Sequence, residues 1–202
     1  MAIKYQFNKI SMQYLDKQLK IRQKALPTIK SKEAALRLTV KKQKEILKSL
    51  TEDYNTKMNN LLGLMRLWGE FPEELFNLKE VVLNVKKIAG VKTPELNTIN
   101  YEVLNFSRFT SPVWMNQGIV ILKEITELIC NMEIAERKLE LLEYARKKTT
   151  QKVNLYEKVQ VPEFSEAIRK IKRYLEDVDN LEKAGQKITK QRQAAVTMEV
   201  QA

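Results

Sequence analysis

The chain has 202 residues, with 36 Lys+Arg against 25 Asp+Glu, a formal charge of +11, five Gly, five Pro, one Cys and no His. So few helix breakers predict long helices, and the lack of His excludes Ser-His-Asp triads, His-ligated zinc and His acid–base chemistry. The longest apolar run, Ile119 to Leu122, is far short of the roughly 18 residues of a membrane span, and a single Cys forms no internal disulfide.

The N-terminal stretch opens without an apolar signal core (Ile3, Lys4, Tyr5, Gln6), so secretion is not expected. Stepping alternately three and four residues from Met12 reaches Leu15, Leu19, Arg22, Leu36, Val40, Gln43 and Leu47, and ends at Trp68. Thirteen of the seventeen positions on that path are apolar, and no Gly or Pro occurs from Thr28 to Leu62. A stripe of period 3.5 held this long predicts one seam of a coiled coil, a helix of roughly 85 Å if unbroken. Residues 1–60 also carry 14 basic and 5 acidic side chains, so most of the positive excess is here. A basic helix face fits an acidic protein surface, an anionic membrane surface or a phosphate backbone. No aromatic RNA-binding cluster, zinc knuckle or helix-turn-helix spacing favours nucleic acid.

Residues 69–111 read differently. Gly69-Glu70-Phe71-Pro72 ends the first helix, and Pro72-Glu73-Glu74 opens a short one with acids in its first turn. Partial alternation predicts a small β-hairpin head capping the helices, with strands near 81–88 and 100–108 and a turn region at 89–94; short helices in a loop are the alternative. Ser111-Pro112 then marks a helix start. A second seam runs through Ile121, Ile125, Leu128, Ala135, Leu139, Leu142, Arg146, Val153, Tyr156 and Gln160, and resumes past Pro162 with Phe164, Ile168, Ile171, Leu175, Val178 and Leu181. The predicted class is all-α: a long antiparallel two-helix coiled coil closed within the chain, or between chains, with a small head containing a short helix and the hairpin. The expected segments are 1–68, 69–111 and 112–202, one elongated structural unit. Counted outward from the head, Pro27 and Pro162 fall at nearly equal heights, which predicts coincident breaks forming one joint.

Candidates for chemistry are few. There is no phosphate-binding Gly loop, and Gly63 and Gly69 have the wrong spacing for one. Glu133, Glu136, Glu140 and Glu143 alternate with Arg137, Lys138, Arg146 and Lys147, the pattern of a salt-bridged solvent face. Cys130 lies beside seam residues and no His can activate it, so a buried, inert thiol is expected. No catalytic, cofactor or metal site is predicted.

Three tracts carry a resemblance. Lys147 to Pro162, with Val153, Asn154, Glu157, Val161 and Pro162, resembles the VN-x-x-E-x-x-x-[IV]P signature in the C-terminal helix of the D subunit of V-type and A-type rotary ATPases. Leu19 to Leu36, with Ile29-Lys30-Ser31-Lys32, is similar to that family's N-terminal signature. Ile88 to Pro94, with Gly90, Val91 and Pro94, is similar to its I-x-GV-x-x-P hairpin. The family's arginine pair is here Gln151-Lys152, and its usual ending is replaced by Asn180 to Lys187, which marks a divergent bacterial-type member. The resemblance implies a non-catalytic central rotor shaft without cofactors. It implies partnership with the hexamer of A and B subunits, with the F subunit and with the C/d socket of the membrane rotor. It implies no nucleic acid partner, no direct membrane insertion, and a place in a peripheral complex on the cytoplasmic face of the membrane. Contacts to the hexamer are expected at Lys17, Lys20, Arg22, Lys24, Lys30, Lys32, Lys183, Lys187 and Lys190. The runner-up reading is a basic coiled-coil protein that binds membrane surfaces or nucleic acid.

Overall fold

The computed structural model describes residues 4–107 and 111–200. The described chain is mostly helical, with a long C-terminal helix and a two-stranded antiparallel hairpin in the middle. Its elements are α1 (Lys9–Leu61), α2 (Met65–Trp68), β1 (Phe76–Ile88), β2 (Val91–Val103), α3 (Trp114–Asn154) and α4 (Val161–Val200). Short 3₁₀ turns precede α2 and β1, and a π-helical turn, Leu155–Gln160, lies between α3 and α4. The expectations for Met1 to Ile3, and for the end of the second strand at Arg108, lie outside the described residues. Two compact units are formed, one from residues Met1–Ser31 and Thr150–Ala202, the other from Lys32–Thr149.

In the unit of residues 32–149, Leu36 and Val40 of α1 are buried against Leu142 of α3. Gln43, a polar position in the first stripe, is also buried and donates through Nε2 to the Ala135 carbonyl at 3.4 Å. Ion pairs Lys44–Glu143 and Lys57–Glu124, both 2.7 Å, flank this contact. Gly63 lies in the turn where α1 stops at Leu61, short of the expected Trp68, as a residue of high backbone entropy would favour. Trp68, Phe71 and Trp114 then form an aromatic cluster with centroids 5.6–6.0 Å apart. Gly118 makes it possible, since a Cβ there would come within 3.0 Å of the Trp114 ring. Leu75, Met115 and Ile119 continue this core.

The hairpin departs from expectation in extent and in place. Its strands pair from Phe76↔Val103 to Ile88↔Val91, with irregularities at Leu78/Glu80 and Val82/Leu83. The turn is only Ala89-Gly90, with φ of 49° and 80°, the two positive values a type I′ hairpin turn requires. Pro94, read as part of the turn, pairs opposite Val85 inside β2. A two-stranded sheet tolerates it because both strands are edges, so a missing N–H can face away from the ladder. Leu104 to Ser107, expected in a strand, follows the hairpin's end. Nor does the hairpin cap the helices. Ile88, Ala89 and Val91 pack onto the Leu36, Val40 and Leu142 cluster, while Tyr101 near the other end donates to the Lys123 carbonyl at 3.4 Å. The ribbon therefore lies alongside α3.

In the other unit, Asn8 caps α1 by accepting the Ser11 N–H at 2.7 Å. Leu15 of α1 is buried against Phe164, Ala167 and Ile171 of α4, with Tyr5, Met12, Leu19 and Leu175 around them. The stripe on α4 ends sooner than expected. Leu181, a predicted seam position, is 72% exposed. Every residue from 179 to 194 is exposed. α1 begins at Lys9 and supplies no further turn to cover them.

The prolines do not break both helices. Pro27 sits inside a continuous α1. Val161, expected to be pushed out of helical geometry by Pro162, keeps φ −62° and ψ −47°. The π-turn just before it makes room: the Val161 N–H reaches back five residues to the Tyr156 carbonyl. The contacts Arg22–Gln160 (2.7 Å) and Lys30–Glu157 (2.6 Å) bracket Pro27, so the two prolines lie within about two helical turns of each other.

This packing sets unequal costs along the stripes. Leu142→Ala, at a fully buried position, should lose about 3 kcal/mol in urea denaturation. Leu181→Ala should stay within about 0.5 kcal/mol.

Candidate interaction surfaces

The expected contact, signature and hairpin residues separate into three groups. Lys17, Lys20 and Lys24 are exposed and line a shallow groove on α1 with Gln13, Asp16 and Ile21. Lys20 leans on Asp16 at 2.7 Å, a surface pair of little energetic weight. Lys183, Lys187 and Lys190 line a comparable exposed groove on α4 with Gln186 and Gln191. These six cations are presented to solvent.

The second group is spent inside the chain. Arg22 is half-buried; its Nε donates to Gln160 Oε1 at 2.7 Å and its Nη1 to Gln18 Oε1 at 2.7 Å and to the Gln18 carbonyl at 3.0 Å. Its guanidinium lies 4.5 Å from the Phe164 ring centroid and 6.0 Å from that of Tyr156. Lys30 pairs with Glu157 at 2.6 Å, so a basic candidate and a signature carboxylate engage each other. The signature thus reads as packing: Val153 and Val161 are half-buried, Asn154 and Pro162 are exposed, and Glu157 is tied to α1. The Arg22–Gln160 contact had a signal in the sequence, because each is a polar interruption of its own stripe. Tyr156 and Phe164 were legible only as stripe members.

The hairpin supplies the third group. Gly90 holds the positive φ of the turn, and the Lys32 amine lies 3.5 Å from where a Cβ would sit. Val91 faces the helices and Pro94 is half-buried opposite Val85. Leu83 and Val85 point outward with large exposed fractions. Lys86 bonds Glu95 at 2.8 Å, and this hydrogen bond, with the charges of Lys86 and Lys138, holds the Glu95 carboxyl below its ordinary range.

No group of three or more potential metal-ligating side chains converges among the described residues. No helix among them is long and apolar enough to cross a membrane. Cys130 is buried in α3, and burial first, then the nearby charge of Glu133, pushes its thiol up. At pH 8.5 the folded chain should therefore react with iodoacetamide at least about tenfold more slowly than the urea-unfolded chain, measured by mass spectrometry.

Comparison with known proteins agrees along the length of the chain. The sequence model of the family described as the D subunit of ATP synthase matches residues 11–191. The chain is 32% identical to the V-type ATP synthase D subunit of Borreliella burgdorferi over 162 residues, 79% of this chain and 80% of that protein. It is 24% identical to the protein of the same name from Chlamydia pneumoniae over 182 residues, 88% of this chain and 87% of the relative. A Thermotoga neapolitana relative, also a V-type ATP synthase D subunit, is 25% identical over 145 residues, 70% of this chain and 71% of its own length.

Proposed function

The chain belongs to the D-subunit family of ATP synthases, and on that ground we propose that it is the central-stalk rotor subunit of a V/A-type rotary ATPase. In this reading it is a non-catalytic part that carries torque between ATP turnover in the A/B hexamer and ion movement through the membrane rotor. The observation that supports it most is that the family match spans the helix–hairpin–helix order nearly from end to end. In this reading the antiparallel stripe contacts within each unit are coiled-coil packing, with 1–68 and 112–202 as the helical segments and 69–111, which holds the hairpin, between them in the chain. A helix pair cross-linked by side chains is suited to bearing torque, since each helix resists the other's rotation.

The exposed cations take the role of partner contacts. Lys17, Lys20 and Lys24 on α1, with Lys183, Lys187 and Lys190 on α4, form polar, mobile contacts to acidic surfaces of the A and B subunits, which a sliding bearing needs more than a deep apolar pocket. Arg22 and Lys30 act instead by fixing the chain's own geometry, and Lys32 stays exposed beside the hairpin turn. The F subunit and the C/d socket engage other parts of the chain, and the assembly sits peripherally on the membrane. The charge–charge part of the hexamer contact weakens with salt.

Co-expression with A and B subunits should yield a stable purified complex containing this chain. Failure to assemble, together with binding of the free chain to anionic vesicles or RNA, would favour the basic coiled-coil reading instead. The triple change Lys17→Glu, Lys20→Glu, Lys24→Glu should weaken hexamer binding about tenfold or more at low salt without lowering the melting temperature of the free chain.

A further inference from the structure

The π-turn has an origin that can be counted. Three–four stepping from Tyr156 through Gln160 leads to Glu163, Ala167, Lys170 and Tyr174, yet the residues packed in the core one place later are Phe164, Ile168, Ile171 and Leu175, with only Ala167 of the first path buried beside them. The stripe has slipped by one residue. A turn closed by a five-residue bond takes up one surplus residue and returns the stripe to face α1.

Each helix also lacks one backbone donor near that level: Pro162 has no N–H to give to a carbonyl one turn back, and Pro27 on α1 has none for the Gln23 carbonyl. Side chains span the gap: Arg22 joins Gln160 and stacks on Phe164, and Lys30 holds Glu157. Arg22 thereby grips the last residue of the π-turn and the first buried residue beyond it.

We propose that this level is a torsional joint built into the chain, in which the π-turn supplies the compliance and Arg22 sets the stiffness. Twist entering α4 is taken up by re-spacing carbonyls around the π-turn, with no loss of the stripe contacts at Leu15 and Ile171. The inference concerns the free chain and does not depend on the rotary assembly.

Amide hydrogen exchange on the purified full-length chain tests it. Amides of Tyr156 to Phe164 should exchange about tenfold faster than those of Ala167 to Leu175. Arg22→Gln should speed the π-turn about a further fivefold with helical content by circular dichroism unchanged. Gln160→Ala, which removes only the Nε partner, should act in the same direction and keeps the test open if Arg22→Gln unfolds. Deleting exposed Lys158 removes the surplus residue; it should keep full helical content and slow the segment to within about threefold of its flank. The proposal is overturned if wild-type π-turn amides already exchange like the flank. It is equally overturned if Gln160→Ala leaves their rates unchanged, or if deletion of Lys158 costs helical content.

Discussion

An amphipathic helix in water stays folded only while its apolar stripe is covered, and this chain has little else with which to cover it. Among the described residues, the largest side chains less than 2% exposed are Leu15, Leu36, Leu142, Ile171 and Thr93. Four of the five belong to stripes on α1, α3 and α4. The fifth, Thr93, sits in β2, where its hydroxyl donates to the Lys86 carbonyl at 3.1 Å. The hairpin is therefore part of the core and not an appendage. Laid along α3, it packs Ile88, Ala89 and Val91 over Leu36, Val40 and Leu142.

Stripe burial is not directional, so something else must choose the register. The polar interruptions are suited to that. Buried Gln43 finds the Ala135 carbonyl, and Arg22 finds Gln160; sliding either helix by one heptad would leave these groups without partners. The outer ion pairs Lys44–Glu143 and Lys57–Glu124 point to the same alignment but are half in solvent, so they contribute less to it.

The stripes and the presence of a middle hairpin were legible in the sequence because each follows from a period, whereas the breaks expected at Pro27 and Pro162 did not follow from their fixed φ alone. What was hidden follows from context. Pro94 and Gly90 look alike as turn residues, and only the pairing shows that one makes the turn while the other fills an edge strand. The hairpin's place alongside α3 depends on Ile88 and Val91 finding a stripe far away in sequence. Arg22 and Lys30 were counted with the solvent-facing cations, since charge alone does not reveal a partner on another helix. Leu181 continued the α4 period faithfully, but a period shows only which face would be buried, never whether a partner helix is long enough to bury it.

That last point bears on the C-terminal half of α4. Residues 179–194 are helical and exposed, so among the described residues no tertiary stripe covers them. Their composition compensates in part: Leu181, Glu182, Lys183, Ala184, Gln186 and Lys187 are strong helix formers, against Gly185 and the weaker formers Asp179, Asn180 and Thr189. A helix of this length held by propensity alone is marginal in water. Such a segment is poised to gain from any surface that covers it, and its cations decide which surfaces can. Lys183, Lys187 and Lys190 repel other basic faces, including that of α1 at Lys17, Lys20 and Lys24, and admit acidic ones. The basic excess thus discriminates against self-pairing while leaving these faces of α1 and α4 open to an acidic partner.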